Sequence, residues 1–338
     1  WHKDFYEFVE LRTNNGDDRR KAHDIFPGLS IPNIFMERLE ARQNFTLFDP
    51  HEILRVKGWA LEDFYDTKED KAFTKRYIEC EQDPNLHGLE VPALDMMKKI
   101  MKSAVETGTP FIFFRDTANE ANPNKHAGMI YASNLCQEIA QNVGFTNLIG
   151  EEVNEDGTLT TKTSMGDMVT CNLNSINLGQ TSDEELEENI ALQIRMLDNV
   201  ITINQAPVPE SRFTSDKYRA IGLGTSGYHH YLVKHKIQWE TEEHLQVADK
   251  LFENIAYAAI KASMELAKEK GAYPAFKGSE WESGEYFTRR GYNSERWQKL
   301  ATDVKKYGIR NGYLMAVAPT GSTSNIANTT AGIDPIFK

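Results

Sequence analysis

The chain has 338 residues, 40% of them apolar and 26% charged, as in an ordinary soluble globular protein with room for one large domain or two smaller ones. A net charge of -12 argues against binding along a nucleic-acid backbone, which needs clustered Lys and Arg, but leaves room for a single nucleotide held by amides and hydroxyls. Three cysteines, Cys80, Cys136 and Cys171, lack CxxC or Cys/His spacing, so they rule out a disulfide scaffold, predict no structural zinc and fit a reducing cytoplasm.

Trp1 to Leu11 already reads as an amphipathic element, with no initiating Met, no basic n-region and no apolar h-region. The expectation is a fragment that begins inside a structural unit. No apolar run reaches membrane-spanning length. Asp49-Pro50 reads as an N-cap and first-turn proline of a short helix ending near Gly58. From Pro92 a longer helix puts Leu94, Met97, Met101, Ala104 and Val105 on one face and stops at Gly108. Phe111-Ile112-Phe113-Phe114 reads as a strand covered on both faces, and 116–128 as loop. Val169, Cys171 and Leu173 alternate as a strand. Ser182 and Glu185 form a capping box for a helix to about Ile203. Helices follow over Glu242–Lys270 and Ser294–Tyr307, each closed by a glycine, and Ile309 to Ala318 reads as a strand leading into Pro319. Alternating helices and short strands, without repeats or a Pro/Gly/Ser linker, predict one continuous α/β domain over 1–338.

Three segments carry potential chemistry. In Ser133-Asn134-Leu135-Cys136-Gln137-Glu138, an extended backbone would turn Asn134, Cys136 and Glu138 to one side, joining an amide, a thiol and a carboxylate. A thiol can yield a thiyl radical and a carboxylate can take a hydroxyl proton. On these residues alone, a buried structural cysteine is the better reading. Cys171 reads equally as a redox thiol or a small core residue, with the core favoured. In Ala318-Pro319-Thr320-Gly321-Ser322-Thr323-Ser324, a glycine between hydroxyls suits a phosphate cradle, with a helix starting near Ser324; a capped strand-to-helix turn fits as well. Gly222-Leu223-Gly224-Thr225-Ser226-Gly227 matches the dinucleotide fingerprint, but polar Ser211 to Ala220 is a poor preceding strand, so its glycines are read as a turn and a helix contact. Cys80, between Glu79 and Glu81, reads as a surface thiol. His229 and His230 open a helix without metal partners, and Asp183 to Glu188 reads as a solvated first helical turn.

Together, SNLCQEI (133–139), TCNLNSINLG (170–179), AIGLGTSGYHHYL (220–232), YGIRNGYLMAVAPTGSTS (307–324) and AGIDPIF (331–337) resemble, in order, the large (alpha) subunit of ribonucleotide reductase. NNGDDRR (14–20) and TLFDP (46–50) resemble it too, and the wording is nearest class I, especially Ib. The resemblance implies reduction of ribonucleoside diphosphates to deoxyribonucleotides for DNA synthesis, on a ten-stranded α/β barrel with a central finger loop, of which this chain would hold part. It implies Cys136 as the transient thiyl radical, Glu138 as base on the 3′-hydroxyl and Asn134 as a hydrogen bond to the sugar. Ser133 and Leu135 would flank the substrate, Cys171 would be one of two reducing thiols, and Pro319, Thr320, Gly321, Ser322 and Thr323 would cradle the diphosphate.

It further implies no cofactor bound in this chain. The radical would come from a separate metal-containing small (beta) subunit, reducing equivalents from a thioredoxin- or glutaredoxin-type protein, and regulation from dNTP and ATP effectors on a homodimer of the complete subunit, in the cytoplasm with no DNA or membrane partner. The second reducing cysteine, the radical-relaying tyrosine pair and most specificity elements are expected outside the chain, which predicts negligible multiple turnover by this polypeptide alone. A cobalamin-dependent class II enzyme shares the cysteine chemistry, and a non-catalytic assembly partner is the alternative of another kind.

Overall fold

The computed structural model describes residues 1–336, so Phe337, the end of AGIDPIF, lies outside the described residues. The chain is mixed α/β, and its contacts divide it into two compact units: Trp1–Asn122 with Met129–Leu135, and Pro123–Gly128 with Cys136 onward.

In the first unit, β1 (Gly28–Ile31) is followed by α1 (Asn33–Glu40), β2 (Asn44–Leu47), α2 (Pro50–Lys57), α3 (Ala72–Glu81), β3 (Leu89–Pro92), α4 (Ala93–Thr107), β4 (Phe111–Phe114) and α5 (Arg115–Glu120). The Asp49 carboxylate accepts from the His51 and Glu52 amides and Gly58 closes α2 at φ 74°, as the sequence predicts. In α4 the buried face is Ala93, Met96, Ile100 and Ser103, while Met101 and Val105 are exposed; the apolar stripe lies one position from the expected one. β4 pairs in parallel with β1, yet Phe114 is 47% exposed, so the strand is not covered on both faces. Asp116–Glu120, expected as loop, lies in the helix Arg115–Glu120.

Cys80 is the clearest departure in this unit. It is 1% exposed, on the inner face of α3 with Phe73 and Tyr77 at i, i+4 and i+7, so helical spacing outweighs its charged neighbours. Burial pushes its thiol up to about 11.

The second unit opens with a hairpin of β5 (Asn147–Val153) and β6 (Leu159–Ser164). It continues through β7 (Leu173–Asn177), α6 (Leu186–Ile203), α7 (Pro209–Tyr218), β8 (Gly222–Ser226), α8 (Tyr228–Lys234), α9 (Glu242–Lys270), α10 (Glu295–Tyr307) and α11 (Gly321–Ile326). Ile190, Ile194, Leu197 and Ile201 form the buried stripe of α6, and Ala258, Ala259 and Ala262 are buried on α9; small residues let helices pack closely. β7 and β8 pair in parallel, Leu173 opposite Gly222 through Asn177 opposite Ser226. On the other edge of β8, Met315 bridges Leu223 in parallel, the Leu223 amide donating to Leu314 O and the Ala316 amide to Leu223 O.

The glycine-rich run is therefore a buried strand rather than a turn. Its glycines are demanded by packing: a Cβ on Gly224 would stand 2.3 Å from Ala316 O, and one on Gly222 2.4 Å from Leu173 Cδ2. The expected strand around Cys171 begins two residues later, at Leu173. The expected strand Ile309–Ala318 is reduced to the single bridge at Met315. Among the described residues the strands form four separate pairs and no closed barrel.

Candidate active site

Ser133, Asn134 and Leu135 end the last segment of the first unit, and Cys136 begins the main segment of the second. The Ser133 hydroxyl donates to Asn134 O (3.1 Å), and Leu135 is exposed. Leu135 and Cys136 lie in a turn and Gln137 is left-handed, φ 66°, so the segment is not extended and simple alternation does not align Asn134, Cys136 and Glu138. A non-glycine residue held there is strained, which fits a turn fixed to display its thiol. Cys136 is exposed. Glu138 is half-buried, and its Oε2 is hidden from solvent without a hydrogen-bond partner among the described residues.

Behind the loop the backbone is fixed by a buried polar layer. The Asn142 amide donates to Tyr313 OH (3.3 Å), and its side-chain nitrogen donates to Asn124 O (2.9 Å) and Tyr218 OH (3.1 Å). Tyr218 OH in turn donates to Asp167 Oδ2 (2.7 Å), which also takes Lys217 Nζ at 2.8 Å. Burial, then this carboxylate, raises the Tyr218 pKa and keeps the phenol protonated.

Cys171 is exposed and lines a cavity of about 70 Å3 with Asn204 and Arg212 among others. Its neighbours are clamped: Asn172 Nδ2 donates to Leu197 O (2.9 Å), Asn172 O accepts from the Gly222 amide (2.9 Å), and Thr170 Oγ1 bonds Ser211 Oγ. Leu173 Cδ2 and Ala316 Cβ crowd the place where a Gly222 Cβ would stand, at 2.4 and 3.0 Å, and Ile139 Cδ1 lies within ordinary contact of it at 3.5 Å. The Cys136 and Cys171 segments thus meet the first residue of β8.

The third segment belongs to the other end of the same strands. Past Val317 the chain turns at Thr320, left-handed at φ 50°, and α11 starts at Gly321 rather than near Ser324. Thr320 Oγ1 accepts from the Gly332 amide (2.8 Å), Thr323 Oγ1 donates to Thr320 O (3.3 Å) and Ser324 Oγ donates to Gly321 O (3.1 Å). These hydroxyls tie the loop to itself. For an anion there remain the exposed Ser322 hydroxyl and the first-turn amides of Gly321, Ser322 and Thr323, which have no intrahelical acceptor. A Cβ on Gly321 would meet nothing within 4 Å, so the loop is open where a ligand would approach.

Within the second unit, Ile139 and the Cys171 segment approach the amino end of β8, and the hydroxyl loop follows the carboxyl end of its neighbour. From Gly222 to Ser226 the strand spans about 13 Å. Sequence reasoning missed Asn174 and Asn177, whose Oδ1 atoms are buried on β7 without a partner. The available signal was asparagine, a poor strand former, repeated inside a strand paired in parallel. No group of three or more His, Cys, Asp or Glu able to hold a metal, and no helix long and apolar enough to cross a membrane, occurs among the described residues.

The family model described as ribonucleotide reductase, barrel domain, matches residues 1–338. The ribonucleoside-diphosphate reductase subunit alpha of Treponema pallidum is 52% identical over the whole of this chain and 40% of its own length. Those of Helicobacter pylori and Synechocystis are 38% and 37% identical, again over the whole chain and over 48% and 42% of their lengths. The chain spans less than half the length of these relatives. It belongs to the ribonucleotide reductase barrel-domain family.

Proposed function

We propose that this chain carries the hydrogen-abstracting part of a class I, Ib-like ribonucleoside-diphosphate reductase, its two units being parts of one catalytic domain within a ten-stranded barrel around a finger loop. The observation that carries the reading is the meeting of the Cys136 and Cys171 segments at Gly222, on the strand whose neighbour leads to Gly321–Thr323.

In this reading the diphosphate rests on Pro319–Thr323, chiefly on first-turn amides and the Ser322 hydroxyl. Ser133 and Leu135 border the sugar and Asn134 orients it. A thiyl radical at Cys136 takes the hydrogen from the ribose 3′ carbon, giving a thiol and a carbon radical. Glu138, whose Oε2 is hidden from solvent and unpartnered, takes the 3′-hydroxyl proton. The 2′-hydroxyl leaves as water with a proton from one thiol of a pair that includes Cys171; the other thiol gives its hydrogen to the 2′ carbon as the pair closes to a disulfide, and Glu138 returns its proton to the 3′ oxygen. The Cys136 hydrogen then returns to the 3′ carbon and regenerates the thiyl radical.

The radical enters from a separate metal-containing small subunit, the disulfide is reduced by a thioredoxin- or glutaredoxin-type protein, and dNTP and ATP effectors regulate a homodimer of the complete subunit in the cytoplasm. In the complete enzyme with its radical subunit, Cys136→Ser is expected to abolish deoxynucleotide formation while substrate affinity changes less than about threefold, because the hydroxyl keeps the shape but not the weak S–H bond. Turnover surviving in Cys136→Ser would refute the assignment.

A further inference from the structure

We propose that the inner face of α7 positions both thiol segments, with Tyr218 as the residue that holds the two together. The inference rests on the reading of Cys136 and Cys171 as acting on one sugar, and it adds the residues that keep them in place. Ser211, Thr214 and Tyr218 recur at i, i+3 and i+7, so they share one side of α7. A helix normally turns apolar residues inward, yet these three polar side chains are 7%, 3% and 0% exposed.

Each of the three meets the chain that leads into Cys171. Ser211 Oγ bonds Thr170 Oγ1, Thr214 Oγ1 accepts from the Met168 amide (2.7 Å), and Tyr218 OH donates to Asp167 Oδ2 (2.7 Å). The contacts run in reverse order along the two segments, so α7 lies antiparallel to residues 167–170. Tyr218 also reaches the other thiol segment, its oxygen accepting from Asn142 Nδ2 (3.1 Å). Asn142 lies four residues after Glu138, and Asp167 lies four before Cys171. Both sit at the base of the β5–β6 hairpin, where the Gly144 amide donates to Asp167 O (3.0 Å). One hydroxyl therefore ties both arms of that base to a helix.

The need for such a tie follows from the local backbone. Residues 135–146 and 165–172 lie outside helices and strands, so no helical turn or strand ladder fixes either thiol. Side-chain hydrogen bonds do so instead, because they hold their partners to a narrow range of distance and angle. In the proposed reaction Cys136 acts at the 3′ carbon and the thiol pair at the neighbouring 2′ carbon. A misplacement of about 1 Å can cost on the order of 100-fold in rate. A buried polar seam stabilises a fold no more than apolar packing of the same shape. Placement is what the seam supplies.

The test uses the complete enzyme with its radical subunit and, separately, the 338-residue chain. In Tyr218→Phe, which keeps the ring and loses the hydroxyl, kcat for deoxynucleotide formation should fall about tenfold while KM changes less than about twofold. Ser263→Ala removes a buried hydroxyl on α9 that bonds Asn311, and should keep kcat within about twofold. In the Tyr218→Phe chain, amide hydrogen exchange should quicken about fivefold in 138–146 and 164–171 together, and not in α9. Thr214→Val keeps the side-chain shape and loses the acceptor for the Met168 amide. It should lower kcat about threefold and quicken exchange in 164–171 alone, and it decides the matter if Tyr218→Phe fails to fold. Unchanged kcat in both α7 variants, an equal loss in Ser263→Ala, or exchange that quickens in only one arm of Tyr218→Phe would overturn the proposal and leave the reductase reading intact. Absence of deoxynucleotide formation by the unaltered enzyme would instead overturn that reading, and the positioning role with it.

Discussion

Two regions of the second unit treat buried polar groups in opposite ways. Around Asp198, fully buried on α6, the charges are answered. Its Oδ1 accepts from Arg219 Nε (2.9 Å) and Arg310 Nε (3.1 Å), and its Oδ2 accepts from Lys270 Nζ at 3.2 Å. Arg219 also bonds Asp198 O and Thr202 Oγ1, and Lys270 bonds Asn199 Oδ1. Along β7 and β8 and in the loop after Cys136, by contrast, Asn174, Asn177, Thr225 and Glu138 each bury an oxygen with nothing to receive. The Asp198 cluster is completed by its own neighbours, whereas the open oxygens of β7, β8 and Glu138 are not.

Removing the central acid breaks the first region most severely. Asp198→Ala strands three cations, two of them mostly buried, and is expected to cost about 3–5 kcal/mol of stability in urea unfolding. A loss below about 1 kcal/mol would mean that water already carries those charges.

Two glycine substitutions sharpen the contrast. Gly224→Ala drives a methyl into Ala316 O and should cost about 1–3 kcal/mol. Gly321→Ala meets open space, should change stability by less than about 0.5 kcal/mol, and should weaken binding of a nucleoside diphosphate. Equal stability losses at both positions would remove the distinction between packed strand and open loop.

The smallest effect separates the thiols. At pH 8, iodoacetamide should label exposed Cys136 and Cys171 and spare Cys80 until the first unit unfolds. The folded Cys80 thiol titrates near 11, above its unfolded value. Its contribution to stability is therefore complete below the unfolded pKa and declines as pH rises through about 11. The urea midpoint of the first unit should fall above about pH 9, less so in Cys80→Ala.

These contrasts also mark what was legible in the residues. Long elements with strong caps were readable: Asp49-Pro50 to Gly58, and Glu242 to Lys270 closed by Gly271. Local charge misled at Cys80, where the period of a ten-residue helix decided burial. Local alternation misled at Cys136, because the left-handed Gln137 interrupts it. The glycines of β8 looked like a turn because their cause is long-range: Ala316 and Leu173 press on them from segments far away in the chain. The candidate site was readable as motifs in order, whereas the unanswered oxygens of Asn174, Asn177 and Thr225 depend on neighbours that no local pattern encodes.

The proposed function requires the Cys136 sulfur to reach the sugar of a nucleotide whose diphosphate rests at Ser322. A ribonucleoside diphosphate carrying a thiol-reactive group on its 3′ oxygen tests this directly, with the labelled cysteine identified by mass spectrometry. Labelling of Cys136 that unmodified ribonucleoside diphosphate suppresses, and that Gly321→Ala diminishes, is the predicted result. Labelling that ignores the competitor, or that falls on Cys80 while sparing Cys136, would contradict it.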